Sequence, residues 1–245
     1  MQGEQHFLRS IYVLFKKELM SYFNSPIAYI YLAVFLVLGN WLFVKPFFLN
    51  GELSMRAYFT LLPWILLFMA PAITMRSWSE EKKSGTIEFL LTLPLSSWQL
   101  VLAKFAGALS FLLIGLLLSL TLPFSLNRLG DLDLGPVIGG YLGALCLGSA
   151  YLAIGLLASV MTKNQIIALI TSLAICFVLF IIGQQFILVT VPVVIAKFFG
   201  FISLGARFDN ITRGLVDSRD LIYYLSFSYF CLWLNVKLLE ARKWQ

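Results

Sequence analysis

Charge is what this chain has least of. Charged residues make up 12% of its 245 residues, against 60% hydrophobic, where soluble domains are about a quarter charged. That shortage excludes a water-soluble globular domain and points to a membrane protein. Histidine is nearly missing: His6 stands alone, so a histidine-based metal or catalytic cluster is excluded. The three cysteines, Cys146, Cys176 and Cys231, fall inside apolar runs without metal-ligand spacing. They read as packing residues, not as disulfides or ligands. The P-loop pattern G-x-x-x-x-G-K-[ST] does not occur, nor do G-x-S-x-G or H-E-x-x-H. The chain is therefore expected to bind no nucleotide, metal or cofactor of its own and to catalyse no reaction. A cleavable signal peptide is not expected either, because a basic segment precedes the first apolar run and no small-x-small pattern follows it.

The net charge of +6 fits basic loops meeting anionic lipid headgroups better than nucleic acid. Charge-free runs cover Phe23–Val44, Ala57–Met75, Phe105–Asn127, Leu134–Thr162, Asn164–Ala196 and Leu221–Val236. A helix needs about 20 apolar residues to cross the hydrocarbon core, within roughly 17–25. Five runs suffice as they stand, and the sixth does so if its flanks snorkel. The fold class expected is all-α, a polytopic membrane protein with six transmembrane helices. With six spans both termini share one side. That side carries Arg9, Lys16, Lys17, Arg76, Lys82, Lys83, Lys104, Lys163, Lys237, Arg242 and Lys243, eleven in all; the other carries Lys45, Arg56, Arg128, Lys197, Arg207, Arg213 and Arg219, seven. The excess predicts cytoplasmic termini.

Residues 1–24 form an amphipathic segment. Phe7, Ile11, Phe15, Leu19 and Phe23 recur every four residues beside Leu8 and Tyr12, with Arg9, Lys16 and Lys17 opposite. This is the pattern of a helix lying in the membrane interface. Ser25-Pro26 then supplies a cap residue and a first-position proline for the next helix.

Between the second and third runs lies a charged island, residues 76–98. Arg76, Glu80, Glu81, Lys82, Lys83 and Glu88 are concentrated there. On paper Glu80, Glu81 and Glu88 form a carboxylate site, but Lys82 and Lys83 beside them favour a solvated, salt-bridged helix. Pro94 is expected to end it. Ser96 and Gln99 have capping-box spacing for a new helix. Lys104 follows and is expected to snorkel to the cytoplasmic surface. Apart from Lys104 the run interiors lack Asp, Glu, Lys and Arg, whereas ion-coupled transporters and channels place such residues inside the membrane.

The fourth run carries two small-residue stripes, Gly139 with Gly143 and Gly140 with Ala144 and Gly148. Such stripes let helices approach closely in lipid, within one bundle or between subunits. The fifth run is too long for one straight span, and Val191-Pro192 is expected to break it. Val193–Leu204 is apolar but too short to cross, with Lys197 inside it. Phe208, Ile211 and Leu215 share a face, and Asp209 precedes Arg213 by one helical turn. Residues 191–218 are thus expected to form an outer re-entrant helical hairpin, its loops buried against the bundle.

This layout resembles the membrane permease subunit of type-2 ABC exporters. The likeness is carried by Glu80-Glu81-Lys82-Lys83-Ser84-Gly85-Thr86-Ile87-Glu88-Phe89-Leu90-Leu91-Thr92-Leu93-Pro94, which matches an acidic pair, Gly-Thr, an apolar residue, Glu, two leucines and a proline. Ser203–Asp217 resembles the gliding-motility-associated branch. The resemblance implies a single transmembrane domain over residues 1–245 that exports an unidentified substrate. It implies a separate ABC ATP-binding subunit that holds ATP and Mg. Ser79, Glu80, Glu81, Lys82, Lys83, Ser84, Gly85, Thr86, Ile87, Glu88 and Phe89 would form the cytoplasmic coupling helix seated in that subunit. It further implies a second permease copy or paralogue as a dimer partner, a bacterial cytoplasmic (inner) membrane, and room for an auxiliary membrane protein with a large periplasmic domain. A non-transport mechanical or regulatory module driven by the same ATPase is the alternative. A polytopic membrane enzyme or an ion-coupled transporter is a third reading.

Overall fold

The computed structural model describes residues 2–50, 54–92, 95–130, 132–214 and 217–243. Pro94 and Leu215 lie outside them, as do the side chains of His6, Phe7, Leu8, Lys45, Arg242 and Lys243. All regular structure among the described residues is α-helical. The helices are α1 (Gln2–Phe23), α2 (Pro26–Asn50), α3 (Arg56–Thr74), α4 (Ser79–Lys83), α5 (Thr86–Thr92), α6 (Ser97–Ser119) and α7 (Thr121–Asn127). There follow α8 (Leu134–Met161), α9 (Gln165–Ile181), α10 (Gln185–Leu188), α11 (Val193–Ile202), α12 (Leu204–Thr212) and α13 (Ser218–Lys243).

Among the described residues, five helical stretches are long and apolar enough to cross a membrane: Pro26–Val44, Arg56–Lys83, Ser97–Asn127, Leu134–Met161 and Ser218–Ala241. The helix α9, with 17 residues, stands at the short end of the spanning range of roughly 17–25. Local signals set several boundaries. The helix α2 starts at Pro26, with Ala28 N–H donating to Ser25 O at 3.1 Å. The helix α6 starts with a complete capping box: Gln99 N–H donates to Ser96 Oγ at 3.2 Å, and Ser96 N–H donates to Gln99 Oε1 at 2.8 Å.

Contacts at the two ends of the bundle fix the direction of each long helix. At one end the start of α4 meets Ser159 near the close of α8, and α1 meets the first turns of α6. At the other, Ser203 at the start of α12 donates to Phe180 O near the close of α9, and Tyr224 OH near the start of α13 donates to Leu204 O at 2.6 Å. Phe43 near the close of α2 packs edge-on against Tyr58 near the start of α3. The helices α2, α3, α6, α8, α9 and α13 therefore run alternately up and down, and α1, α4 and the close of α13 share one end. The core lies between α3, α8 and α13, where Leu62, Leu66, Tyr151, Leu152 and Tyr224 are fully buried.

The amphipathic α1 uses its apolar face on its own chain. Tyr22 stacks on Phe111 of α6 with ring centroids 5.4 Å apart, and Phe23 meets the same ring at 5.8 Å. The chain after α9 departs from the sequence reading in two ways. The helix breaks at Ile182–Gln184, where Gln184 is the extended cap of α10 and a side chain at Gly183 would collide with Ser203, and breaks again at Val189–Pro192, where Pro192 caps α11 as expected. Burial falls on α12 and not on α11. The helix α11 contributes no buried residue, while Leu204, Phe208 and Ile211 of α12 are fully buried. The cause is the mating surface, since the glycines of α8 admit the α12 backbone and give α11 nothing to pack on.

Candidate functional site

The charged island is two short helices joined by a tight turn. Gly85 sits there at φ 75°, a conformation that glycine adopts at little cost. Ser84 Oγ accompanies the turn, donating to Glu80 O at 2.9 Å and lying 2.9 Å from Thr86 Oγ1. The sequence reading of one short helix is corrected on this point.

The island is bolted to the bundle. Ser159 Oγ accepts from Trp78 N–H at 3.0 Å and from Ser79 N–H at 3.1 Å, and donates to Met75 O at 3.1 Å. One hydroxyl thus satisfies two of the amide donors that a helix start leaves orphaned. Trp78 and Ser79 are fully buried. Lys82 is buried as well, and its ammonium donates to Val160 O at the close of α8. The expected solvated lysine pair is therefore corrected: Lys83 is exposed, whereas Lys82 reaches into the bundle.

Lys104 joins three elements. Its Nζ lies 3.0 Å from Glu18 Oε1 of α1 and 2.7 Å from Glu81 Oε1 of α4, and 4.8 Å from the Trp78 ring centroid. The lysine is 4% exposed, so it does not snorkel to water as the sequence suggested. Two carboxylates supply in the interior what the surface would have supplied outside. Close approach makes the arrangement possible: a Cβ on Gly107 would stand 3.1 Å from Glu18 Cβ. The amphipathic α1 and the island are thereby tied through one cation.

The eleven island residues separate into a buried foot and an exposed tip. Ser79, Lys82 and Ile87 are buried and Glu81 is half-buried; Glu80, Lys83, Ser84, Gly85, Thr86, Glu88 and Phe89 are exposed. Phe89 is 69% exposed. An exposed apolar ring on α5 among charges has the make-up of a docking anchor.

The small residues of α8 are taken up inside the chain. A Cβ on Gly139 would stand 2.5 Å from Ile211 O, and one on Gly143 3.2 Å from Phe208, so both face α12. A Cβ on Gly140 would fall on the Phe59 ring of α3, and one on Gly148 on Leu112 of α6. Ala144 is fully buried between them. At this end Asp209 and Arg213 form no ion pair. Arg207 pairs instead with Asp220 at 2.7 Å and lies 4.0 Å from the Tyr223 ring centroid, locking α12 to α13. Burial pushes the Asp209 carboxyl up, opposed by the charge of Arg213.

Sequence reasoning missed Ser159, Glu18 and Gly155. Gly155 admits Thr74 of α3 where no side chain would fit. Gly155 stands within the same small-residue run, so its pattern was available. Nothing in the run around Ser159 signals that its hydroxyl faces Trp78, 81 residues away.

A family model described as ABC-2 family transporter protein matches residues 51–236. The chain belongs to the ABC-2 family. The match takes in the island, all of α8 and the α11–α12 segment, and begins after α2. No curated protein matches the chain. Membership in the ABC-2 family makes it a multi-pass membrane component of a transporter and implies an ATP-binding subunit as its partner.

Proposed function

We propose that this ABC-2 chain is the permease subunit of an exporter and that its island, residues 79–89, is the coupling element seated in a groove of the ATP-binding subunit. ATP and Mg belong to that subunit. The membrane is the bacterial inner membrane, and the lysine and arginine excess favours a cytoplasmic side for the island, both termini and α1. The α11–α12 segment closes the opposite, outer end as a re-entrant hairpin. Two permease chains assemble, as copies or paralogues, and the segment before α13 favours the gliding-motility-associated branch.

The observation that carries this reading is the division of the island. Its foot is bolted to α8 by Ser159 and Lys82 and to α1 and α6 by Lys104, while its tip projects Glu80, Glu88 and Phe89. A coupling element needs that combination, because a push on a loose loop would not reach the spans. Charges at the tip select the partner and its orientation, and Phe89 supplies buried contact on docking.

Co-purification with the ATP-binding subunit tests the proposal. Phe89→Ala and the double reversal of Glu80 and Glu88 to Lys should each lower recovery of the subunit while leaving the chain's own yield unchanged. Truncating an anchor of this type typically costs about 2 kcal/mol or more. Undiminished recovery from both variants would refute docking at the tip.

A further inference from the structure

A cleft of about 380 Å³ opens at the island end between α1, the first turns of α2 and the close of α3. Its ionic lining is balanced: Lys17, Arg76 and Lys104 against Glu18, Glu80 and Glu81. Lys104 is engaged by Glu18 and Glu81. Arg76 and Lys17 pair with no carboxylate among the described residues, and Arg76 Nε is buried without a hydrogen-bond partner. On the acidic side Glu81 Oε2 is buried and likewise unpartnered.

Two needs of opposite sign therefore meet in one cavity. A guanidinium Nε withdrawn from water without an acceptor is unfavourable, and the planar donors of the group suit phosphate. A withdrawn carboxylate oxygen requires a donor. A simple anion would satisfy the first and repel the second, and a simple cation the reverse. A zwitterion that joins a phosphate to a nearby ammonium satisfies both. Ile27, Ala28 and Tyr31 of α2 line the cleft, and Tyr29, Ile30 and Val34 of the same helix are large apolar side chains exposed on this chain, a surface for acyl chains to follow.

We propose that this cleft binds the headgroup of a zwitterionic membrane phospholipid, its phosphate on Arg76 with Lys17 at the rim and its ammonium on Glu81 Oε2. The site stands beside the triad that ties α1 to the island, so its occupant completes the polar packing at that junction. It requires only that the chain sits in a bilayer and is independent of docking by the ATP-binding subunit.

The test uses the full chain, purified in detergent, stripped of endogenous lipid and analysed by native mass spectrometry. The probes are a phosphatidylethanolamine, a phosphatidylglycerol of the same acyl chains, and free phosphoethanolamine. The ethanolamine lipid should be retained over the glycerol lipid. Arg76→Ala should lower its retention by about tenfold or more, the equilibrium equivalent of one charge-assisted hydrogen bond. Lys17 is exposed, so Lys17→Ala reads the same site with little risk to folding and should lower retention more weakly. Lys197→Ala, on α11 at the opposite end, should leave it unchanged. Equal retention of the two lipids, equal retention by folded R76A, or unchanged retention by K17A where R76A does not fold, would overturn the proposal. So would free phosphoethanolamine displacing the lipid at equal concentration, which would assign the cleft to a soluble phosphate compound.

Discussion

Replacing Lys104 with Met removes the cation and keeps most of the volume. In the native chain Lys104 Nζ lies 3.0 Å from Glu18 Oε1 and 2.7 Å from Glu81 Oε1, with the lysine 4% exposed and the glutamates 18% and 19%. Without it two like charges face each other across a mostly buried site. Removing one partner of a buried ion pair costs about 3–5 kcal/mol, because the remaining charge stays desolvated. The full figure applies here, since one lysine serves two carboxylates. Lost contact with Trp78 adds little, because the methionine stem still packs on the ring. The opposite expectation holds for the triple change Glu18→Gln, Lys104→Met and Glu81→Gln. Replacing a whole buried ion group by neutral side chains is often close to neutral. Thermal unfolding in detergent, followed by tryptophan fluorescence, should rank wild type and triple variant together and place K104M well below. If K104M unfolds at the wild-type temperature, the triad contributes no stability. If the triple variant falls as far as K104M, shape and not charge balance holds α1 to the island.

Three further outcomes follow from the geometry. Ser159→Ala leaves the Trp78 and Ser79 amides without an acceptor, at about 1–3 kcal/mol for each; those two amides should exchange faster with deuterium, and unchanged rates would show another acceptor at work. Gly139→Val places a side chain against Ile211 O, which lies 2.5 Å from the Cβ position, so overpacking of about 1–3 kcal/mol should loosen α12 and leave the island's exchange unchanged; unaltered protection of α12 would contradict this contact. A cysteine at exposed Ser84 should resist membrane-impermeant thiol reagents in intact cells and react in inside-out vesicles, and labelling in intact cells would reverse the orientation.

What could be read from the sequence was local. The Ser96–Gln99 capping box and the Pro26 start each depend on neighbours a few residues away, and each stands where its chemistry puts it. The five long apolar helices and the shorter α9 follow from the apolar runs. The parts that could not be read are contacts across the chain. Glu18 reaches Lys104 over 86 positions, and Ser159 meets Trp78 over 81. Without those partners Lys104 reads as snorkelling and Lys82 as solvated. The outer segment misled for a related reason: α11 is the more apolar helix, but burial was decided by Gly139 and Gly143 of α8, which face α12. The eleven island residues could be named from the likeness, yet their division into foot and tip required the bundle that anchors them.

The central claim is that the exposed tip of the island receives the ATP-binding subunit. Deuterium exchange of the detergent-solubilised chain, measured with and without that subunit, tests it most directly. Amides of residues 83–89 should slow markedly in the complex, while those of α12 keep their rates. Slowing confined to the α11–α12 end, or no change across residues 83–89 in a complex that has formed, would contradict it.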